Sequence, residues 1–307
     1  MTNVSVIMAT YKEPIEQLKQ SIESILNQSY KDIEFIIILD NPSNQIHIDL
    51  INEYKKNDNR IVFEINDKNQ GLTYSLNKGL KLAKGKYIAR MDADDISLPT
   101  RLQLQLDYLE KNNCDLIGGL SSMVADNGEI IYAIQKVPTD KEKIKKLLKY
   151  NQVISHPTWF GKKEVFDKLN GYREMPLCED YDFTLRAVLD GYVISNINEC
   201  VLYYRMSADS LSRSNLYEQF LYCKYITHEY SKGNISNIQD AKKYVSEHYN
   251  EKKAKKYSLA NVRFNKTLND IQKKHYLKFI KDGFQLTFTS KAYLNKIYRF
   301  AKLLINS

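Results

Sequence analysis

Three carboxylates fall within four positions at Asp92-Ala93-Asp94-Asp95, directly after the apolar run Tyr87-Ile88-Ala89 and the pair Arg90-Met91. Acids this close repel one another unless a positive charge lies among them. A hard divalent cation, Mg2+ or Mn2+, is the natural counter-charge, because it takes a few carboxylate oxygens and keeps positions open for phosphate oxygens. A strand that delivers a metal to a diphosphate suggests nucleotide-sugar chemistry. The plainer reading is a solvated turn in which Asp95 caps a helix expected from about Leu98.

A second acidic pair, Glu179-Asp180, precedes the periodic run Phe183, Leu185, Ala187, Val188. That spacing puts both acids at a helix amino terminus, whose dipole favours the ionised form. With a free-solution pKa near ~3.9, such an Asp takes a proton from an alcohol only late in a transition state, once the attacking oxygen has become acidic. A helix cap with solvated acids is the alternative.

The elements that position these groups are legible as alternation. Apolar runs Val4–Ala9, Ile33–Leu39, Ile61–Ile65, Tyr87–Met91 and Leu116–Val124 are separated by helical patterns over Ile15–Leu26, Ile46–Lys56, Leu72–Leu82 and Leu98–Lys111. The pattern predicts an α/β fold with a mostly parallel, Rossmann-like sheet carrying helices on both faces. Ligands of such sheets bind beyond the carboxyl ends of the strands. Thr10-Tyr11-Lys12-Glu13, Asp40-Asn41 and residues 92–95 should therefore share one rim. Tyr11 offers a flat face to a nucleobase, with Thr10 and Glu13 as polar partners; the same residues also suit a strand end before Pro14 at a helix start. Asp40 can accept a uracil or thymine imide N–H, or shape an Asp-Asn-Pro turn.

Beyond residue 125, Asn127-Gly128 marks a hairpin. A helix over Asp140–Lys149, a strand over Gln152–Phe160, a helix Lys163–Leu169 closed by Asn170-Gly171, a helix Glu179–Leu189 and a strand Val193–Tyr204 follow. From about Ser214 only helical segments continue. The expected division is a first domain over 1–210, whose pattern changes at about 125, then a basic helical region over 211–307.

The 307 residues carry a net charge of +8, but residues 251–307 alone hold 14 Lys or Arg against three acids, a net of +11. The first 250 residues are at −3, so the basicity belongs to the C-terminal region. Cys114, Cys178, Cys200 and Cys223 form no CxxC pair and read as reduced thiols. No basic leader precedes Val4–Ala9 and no run of eighteen apolar residues occurs, which predicts a cytoplasmic chain that does not span a membrane.

Taken in order, these motifs resemble the family 2 glycosyltransferases of GT-A fold, including the bacterial polysaccharide enzymes. The matching stretches are Val4–Tyr11, Asn69-Gln70-Gly71-Leu72 with Asn77-Lys78-Gly79, Gly85–Ala89, Asp92–Asp95 and Pro99 with Arg101-Leu102. His156-Pro157, Gly171-Tyr172-Arg173, Glu179–Asp182 and Tyr203-Tyr204-Arg205 follow, so the likeness covers roughly residues 3 to 213 and implies a catalytic domain over 1–210 with a nucleotide-sugar half (about 1–125) and an acceptor half (about 126–210). It implies a donor site of Thr10, Tyr11, Glu13, Asp40, Asn69, Asn77, Asp92 and Arg205, a metal on Asp94 supported by Asp92, and Asp180 as base with Glu179 as its fallback. His156 would line the acceptor side, with Trp159 a platform for a sugar face or else core. One departure stands out. Many relatives carry a histidine after the Tyr-Tyr-Arg run, whereas here Met206-Ser207-Ala208 follows, leaving Ser207 or Asp209 as oxygen ligands.

The resemblance implies inverting transfer from a nucleotide-diphosphate sugar, a UDP-sugar above all, to a saccharide or lipid-linked saccharide. A non-catalytic nucleotide-sugar-binding module is an alternative, against which Glu179-Asp180 counts. A sugar-1-phosphate nucleotidyltransferase is less favoured, since Ala9–Glu13 is not a glycine-rich phosphate loop. In the tail, Leu294, Ile297, Tyr298, Ala301 and Ile305 recur at helical spacing beside Lys296, Arg299 and Lys302. That helix suits either the anionic inner face of a cell membrane, with the enzyme peripheral on it, or packing on the catalytic domain or a second subunit. No nucleic-acid recognition motif accompanies the charge.

Overall fold

The computed structural model describes residues 2–125, 128–206, 215–272, 285–286 and 289–306. They divide into two compact units, residues 1–145, 152–174 and 183–207 in one, 146–151, 175–182 and 208–307 in the other. Nothing in the sequence pattern marks the two short segments that group with the C-terminal residues.

The first unit is built on one nine-stranded sheet. Its strands are β1 (Val4–Thr10), β2 (Ile33–Leu39), β3 (Ile61–Ile65), β4 (Tyr87–Asp92), β5 (Ile96–Ser97), β6 (Leu116–Val124), β7 (Ile130–Ala133), β8 (Phe160–Lys162) and β9 (Ile194–Arg205). They run in the order β3-β2-β1-β4-β8-β6-β9-β5, with β7 paired to β6. β3, β2, β1 and β4 are mutually parallel, β8 runs against both β4 and β6, and β9 is parallel to β6.

Burial on both faces explains why these strands read as unbroken apolar runs. Val4, Val6 and Met8 of β1, with Phe35, Ile37 and Leu39 of β2, share a core with Leu18, Ile22 and Ile25 of α1 (Ile15–Leu26) and Ile51 of α2 (Gln45–Asn57). Side chains of alternate residues point to the opposite face. There Ile7 meets α3 (Leu72–Leu82) so closely that a Cβ on Gly79 would lie 2.5 Å from its Cγ2. The β6–β7 hairpin forms as expected, with Gly128 at φ +84°; Asn127 lies outside the described residues.

Two boundaries differ from the sequence expectation. Helix α4 (Arg101–Lys111) begins after Leu98, because residues 96–97 pair with β9 and the Leu98 N–H donates to the Val201 carbonyl at 3.0 Å. The strand expected over 152–160 is confined to β8, and His156–Thr158 form a 3-10 turn. Here α4 takes the carbonyls a strand would offer: Arg101 Nη2 donates to Pro157 O at 3.0 Å and Gln105 Nε2 to Thr158 O at 2.7 Å.

Helices α5 (Lys141–Leu147) and α6 (Lys163–Lys168) connect these strands, and α7 spans Glu179–Leu189. The second unit adds α8 (Leu216–Ser231), α9 (Ile238–His248), α10 (Glu251–Gln272) and α11 (Lys291–Asn306). Its core is aromatic: Tyr257 lies 5.4 Å from Tyr217, 5.3 Å from Phe220 and 5.0 Å from Tyr293. On α11, Tyr293 is buried and Arg299 donates to Tyr150 O at 2.6 Å and Thr227 Oγ1 at 3.0 Å, so this helix commits one face to its own unit. Its Tyr298 and Phe300 are exposed. No helix among the described residues is long and apolar enough to cross a membrane.

Candidate active site

The ends of β1, β2 and β4 stop level with one another. Thr10 sits opposite Leu39 and Ala9 opposite Asp92, which brings Thr10, Asp40 and the acid turn to one rim as the strand pattern requires. Ser21 of α1 donates to the Asp92 carbonyl at 2.8 Å and pins that turn.

One oxygen from each of Asp92, Asp94 and Asp95 lies within 4.8 Å of the others. Arg90, almost fully buried, forms an ion pair with Asp92. Asp95 is fully buried; its Oδ1 accepts the Arg205 N–H at 2.9 Å, and its Oδ2 has no partner among the described residues. It does not cap α4, which starts six residues later. Burial, then the charges of Asp92 and Glu13, push the Asp94 carboxyl up to about 6. Burial and its two acidic neighbours raise Asp95 well above the usual carboxylate range. The turn thus carries more negative charge than Arg90 offsets. An all-oxygen set with an unsatisfied buried oxygen fits a hard divalent cation. Ser207 and Asp209, considered as further ligands, lie outside the described residues.

Arg205 is buried beside this turn. Its Nη1 donates to the Asp94 carbonyl at 2.8 Å, its Nη2 to Gln20, and its Nε has no partner among the described residues. Expected to reach the diphosphate, Arg205 here braces the acid turn.

The loop after β1 is held from within. Glu13 accepts from Thr10 Oγ1 at 2.6 Å and from the Tyr11 N–H at 2.8 Å, while the Tyr11 ring stays exposed. His47 of α2 lies 2.9 Å from the Glu13 carbonyl and 3.3 Å from Thr10 Oγ1. Asp40 is 5 % exposed and accepts from Asn66 Nδ2 and the N–H groups of Gln70 and Gly71 at 2.7 to 2.8 Å. Its carboxylate therefore shapes the 66–71 loop, where Asn69 is exposed and accepts the Gly71 N–H at 3.1 Å.

Three candidate residues serve the fold, two of them in the structural roles the sequence offered as alternatives. Asn77 pairs with the backbone of Tyr172, accepting its N–H at 2.9 Å and donating to its carbonyl at 2.8 Å, so its amide serves the fold. Trp159 has no exposed surface and packs 5.4 Å from Phe183 and 4.6 Å from His156, which makes it core and leaves no face for a sugar. His156 is buried with Nε2 2.8 Å from the Tyr172 hydroxyl; burial, then the Arg90 charge, holds its imidazole well below its usual range.

In the second unit, Glu179 and Asp180 open α7, as the spacing requires. The helix starts from the Cys178 carbonyl, which accepts the Asp182 N–H at 2.8 Å, and Asp180 Oδ1 accepts the Tyr181 N–H at 2.7 Å.

Sequence reasoning assigned no part to Arg90, Gln20 or His47. Arg90 carried a usable signal, since a cation inside a buried strand requires a counter-charge. Gln20 and His47 sit on helices and reveal themselves only through folding.

A sheet of this order, with its acid turn at the rim, is the GT-A architecture of glycosyltransferases. Solved structures of S. aureus TarS 1–349, one in complex with UDP and one with UDP-GlcNAc, align with TM-scores of 0.60 at 16 % identity, covering 99 % of this chain and 88 % or 89 % of theirs. Residues 5–169 match the family described as Glycosyl transferase family 2, and the chain belongs to that family. An uncharacterized glycosyltransferase of Methanocaldococcus jannaschii is 42 % identical over 66 % of this chain and 70 % of its own length. The O-antigen biosynthesis glycosyltransferase WbnJ of Escherichia coli is 36 % identical over 69 % of this chain and 83 % of its own.

Proposed function

We propose that this glycosyltransferase moves a sugar, with inversion, from a UDP-sugar to a saccharide or lipid-linked saccharide in surface glycan synthesis. The acid turn carries the reading: three carboxylates converge at the rim, one with a buried oxygen unsatisfied among the described residues, and the exposed Tyr11 follows the neighbouring strand β1. TarS in complex with UDP and with UDP-GlcNAc supports the donor class, and the O-antigen and amylovoran biosynthesis relatives support the acceptor class.

Asp94 and Asp92 would hold Mn2+ or Mg2+, with Asp95 behind them. Held there, such an ion would supply positive charge toward a leaving diphosphate, a stabilisation of several kcal/mol. Tyr11, steadied by Thr10, Glu13 and His47, stacks on the base, and Asp40 orders the neighbouring loop. Asp180 takes the proton of the acceptor hydroxyl after the sugar carbon has become cationic. Exposed Leu259, Val262, Tyr298 and Phe300 lie on the basic helices α10 and α11, which supports peripheral contact with an anionic lipid surface.

Incubation with Mn2+ and a panel of UDP-, GDP- and dTDP-sugars tests the proposal. Hydrolysis or transfer with a UDP-sugar is expected. Absence of binding and turnover across the panel would overturn it.

A further inference from the structure

Two thiols face each other beside the proposed base. Cys178, fully buried, precedes Glu179, and its Sγ lies 3.1 Å from Sγ of Cys223 on α8. A disulfide needs about 2.05 Å, so the sulfurs would close by roughly 1 Å. Other contacts hold the same register: Gln219, one turn before Cys223, donates to the Leu177 carbonyl at 3.0 Å.

The backbone here is strained. Leu177 sits at φ +61°, a left-handed conformation unfavourable for a branched side chain, and it follows Pro176. Cys178 then supplies the carbonyl from which α7 starts. Whatever fixes Cys178 therefore fixes the turn bearing Glu179 and Asp180.

The two sulfurs differ in access. Cys223 is partly exposed. Cys178 is buried, and burial, then its hydrogen bond with Cys223, raises its thiol well above the usual range.

We propose that Cys178 and Cys223 form a reversible disulfide under hydroperoxide and that this bond restrains the turn carrying the proposed base. The Cys223 thiolate attacks the peroxide, the O–O bond breaks, and Cys223 becomes a sulfenic acid with loss of hydroxide. Cys178 gives up its proton and attacks the Cys223 sulfur; the S–O bond breaks and water leaves. Two thiols are oxidised and one peroxide is reduced. A dithiol reverses the change.

The consequence for activity rests on the assignment of Asp180 as base, so the test reads structure and turnover separately. The full chain is treated with hydrogen peroxide, digested and weighed, and amide exchange is followed over residues 179–182. The expected result is a linked Cys178–Cys223 peptide lighter by two hydrogens and slower exchange at Asp182. Sugar transfer should fall roughly tenfold or more, as displacement of a reacting group would cause, and recover with dithiothreitol. Cys223→Ser should resist all three changes, and Cys178→Ser serves as a second variant. Absence of the linked peptide, or a linked peptide with unchanged exchange, overturns the proposal. If the untreated protein transfers no sugar, the transferase reading fails while peptide and exchange still decide the disulfide.

Discussion

Arg90 and Asp92, two residues apart on the same strand, form an ion pair, so among the described residues only one of the three acids at the rim has a dedicated counter-charge. Asp94 and Asp95 crowd the same space, and both are held above the usual carboxylate range by burial and by the acids around them. Arg90→Gln should therefore strand Asp92 beside two further carboxylates. A loss of about 3 to 5 kcal/mol is expected for a broken buried pair. Thermal melts with and without Mn2+ check this, with the variant regaining more stability from the metal than the parent does.

Asp180 is assigned the proton transfer and no part in donor binding. In Asp180→Asn, kcat should fall by about 10² to 10⁴ while the KM for the UDP-sugar changes little. Steady-state kinetics with saturating acceptor measures both. A matching rise in KM would move Asp180 from chemistry to binding.

Arg101 is fully buried and spends its guanidinium on the carbonyls of Arg90 and Pro157 and on Gln105 Oε1, at 2.7 to 3.0 Å. It ties the acid-bearing strand to the 156–159 turn. Arg101→Lys keeps the charge and loses the fork, so a destabilisation of about 2 to 4 kcal/mol is expected from unsatisfied buried groups. Denaturant unfolding gives the value.

His156 makes stability depend on acid. Its imidazole is neutral when folded, because burial and Arg90 lower its pKa, whereas the unfolded chain binds a proton near ~6.5. Its contribution is full above that pH and is lost as the pH falls toward the depressed folded value, by up to about 1.4 kcal/mol per pH unit. Unfolding free energies between pH 7 and pH 5 should show the slope, and His156→Gln should reduce it.

Membrane contact would rest on Tyr298, Phe300, Leu259 and Val262 among lysines. Cosedimentation with vesicles containing anionic lipid should exceed that with neutral vesicles and weaken with salt. Paired Tyr298→Ser and Phe300→Ser changes should reduce it. A concentration-dependent dimer without vesicle binding would favour the self-association reading instead.

The strands at the rim were legible because burial on both faces makes β1, β2 and β4 continuous apolar runs, and three acids directly after one of them demand a counter-charge. The segment 152–160 was not, since its carbonyls are claimed by Arg101 and Gln105 on a helix about fifty residues earlier. Asn77 misled for the same reason: its partner Tyr172 is 95 positions away. A lone Trp159 beside His-Pro has no periodicity to say which way it faces. The tail's helical spacing was visible, but the division of α11 into an inward face with Tyr293 and an exposed side with Tyr298 depends on the aromatic cluster it joins.

The most direct test of the metal-bridged diphosphate is calorimetric titration of UDP into protein with Mn2+ and with chelator, for the parent and for Asp94→Asn. Binding is expected to need the metal in the parent and to lose that dependence in the variant, by on the order of 1 to 3 kcal/mol of coupling. Equal UDP affinity with Mn2+ and with chelator in the parent would contradict the account.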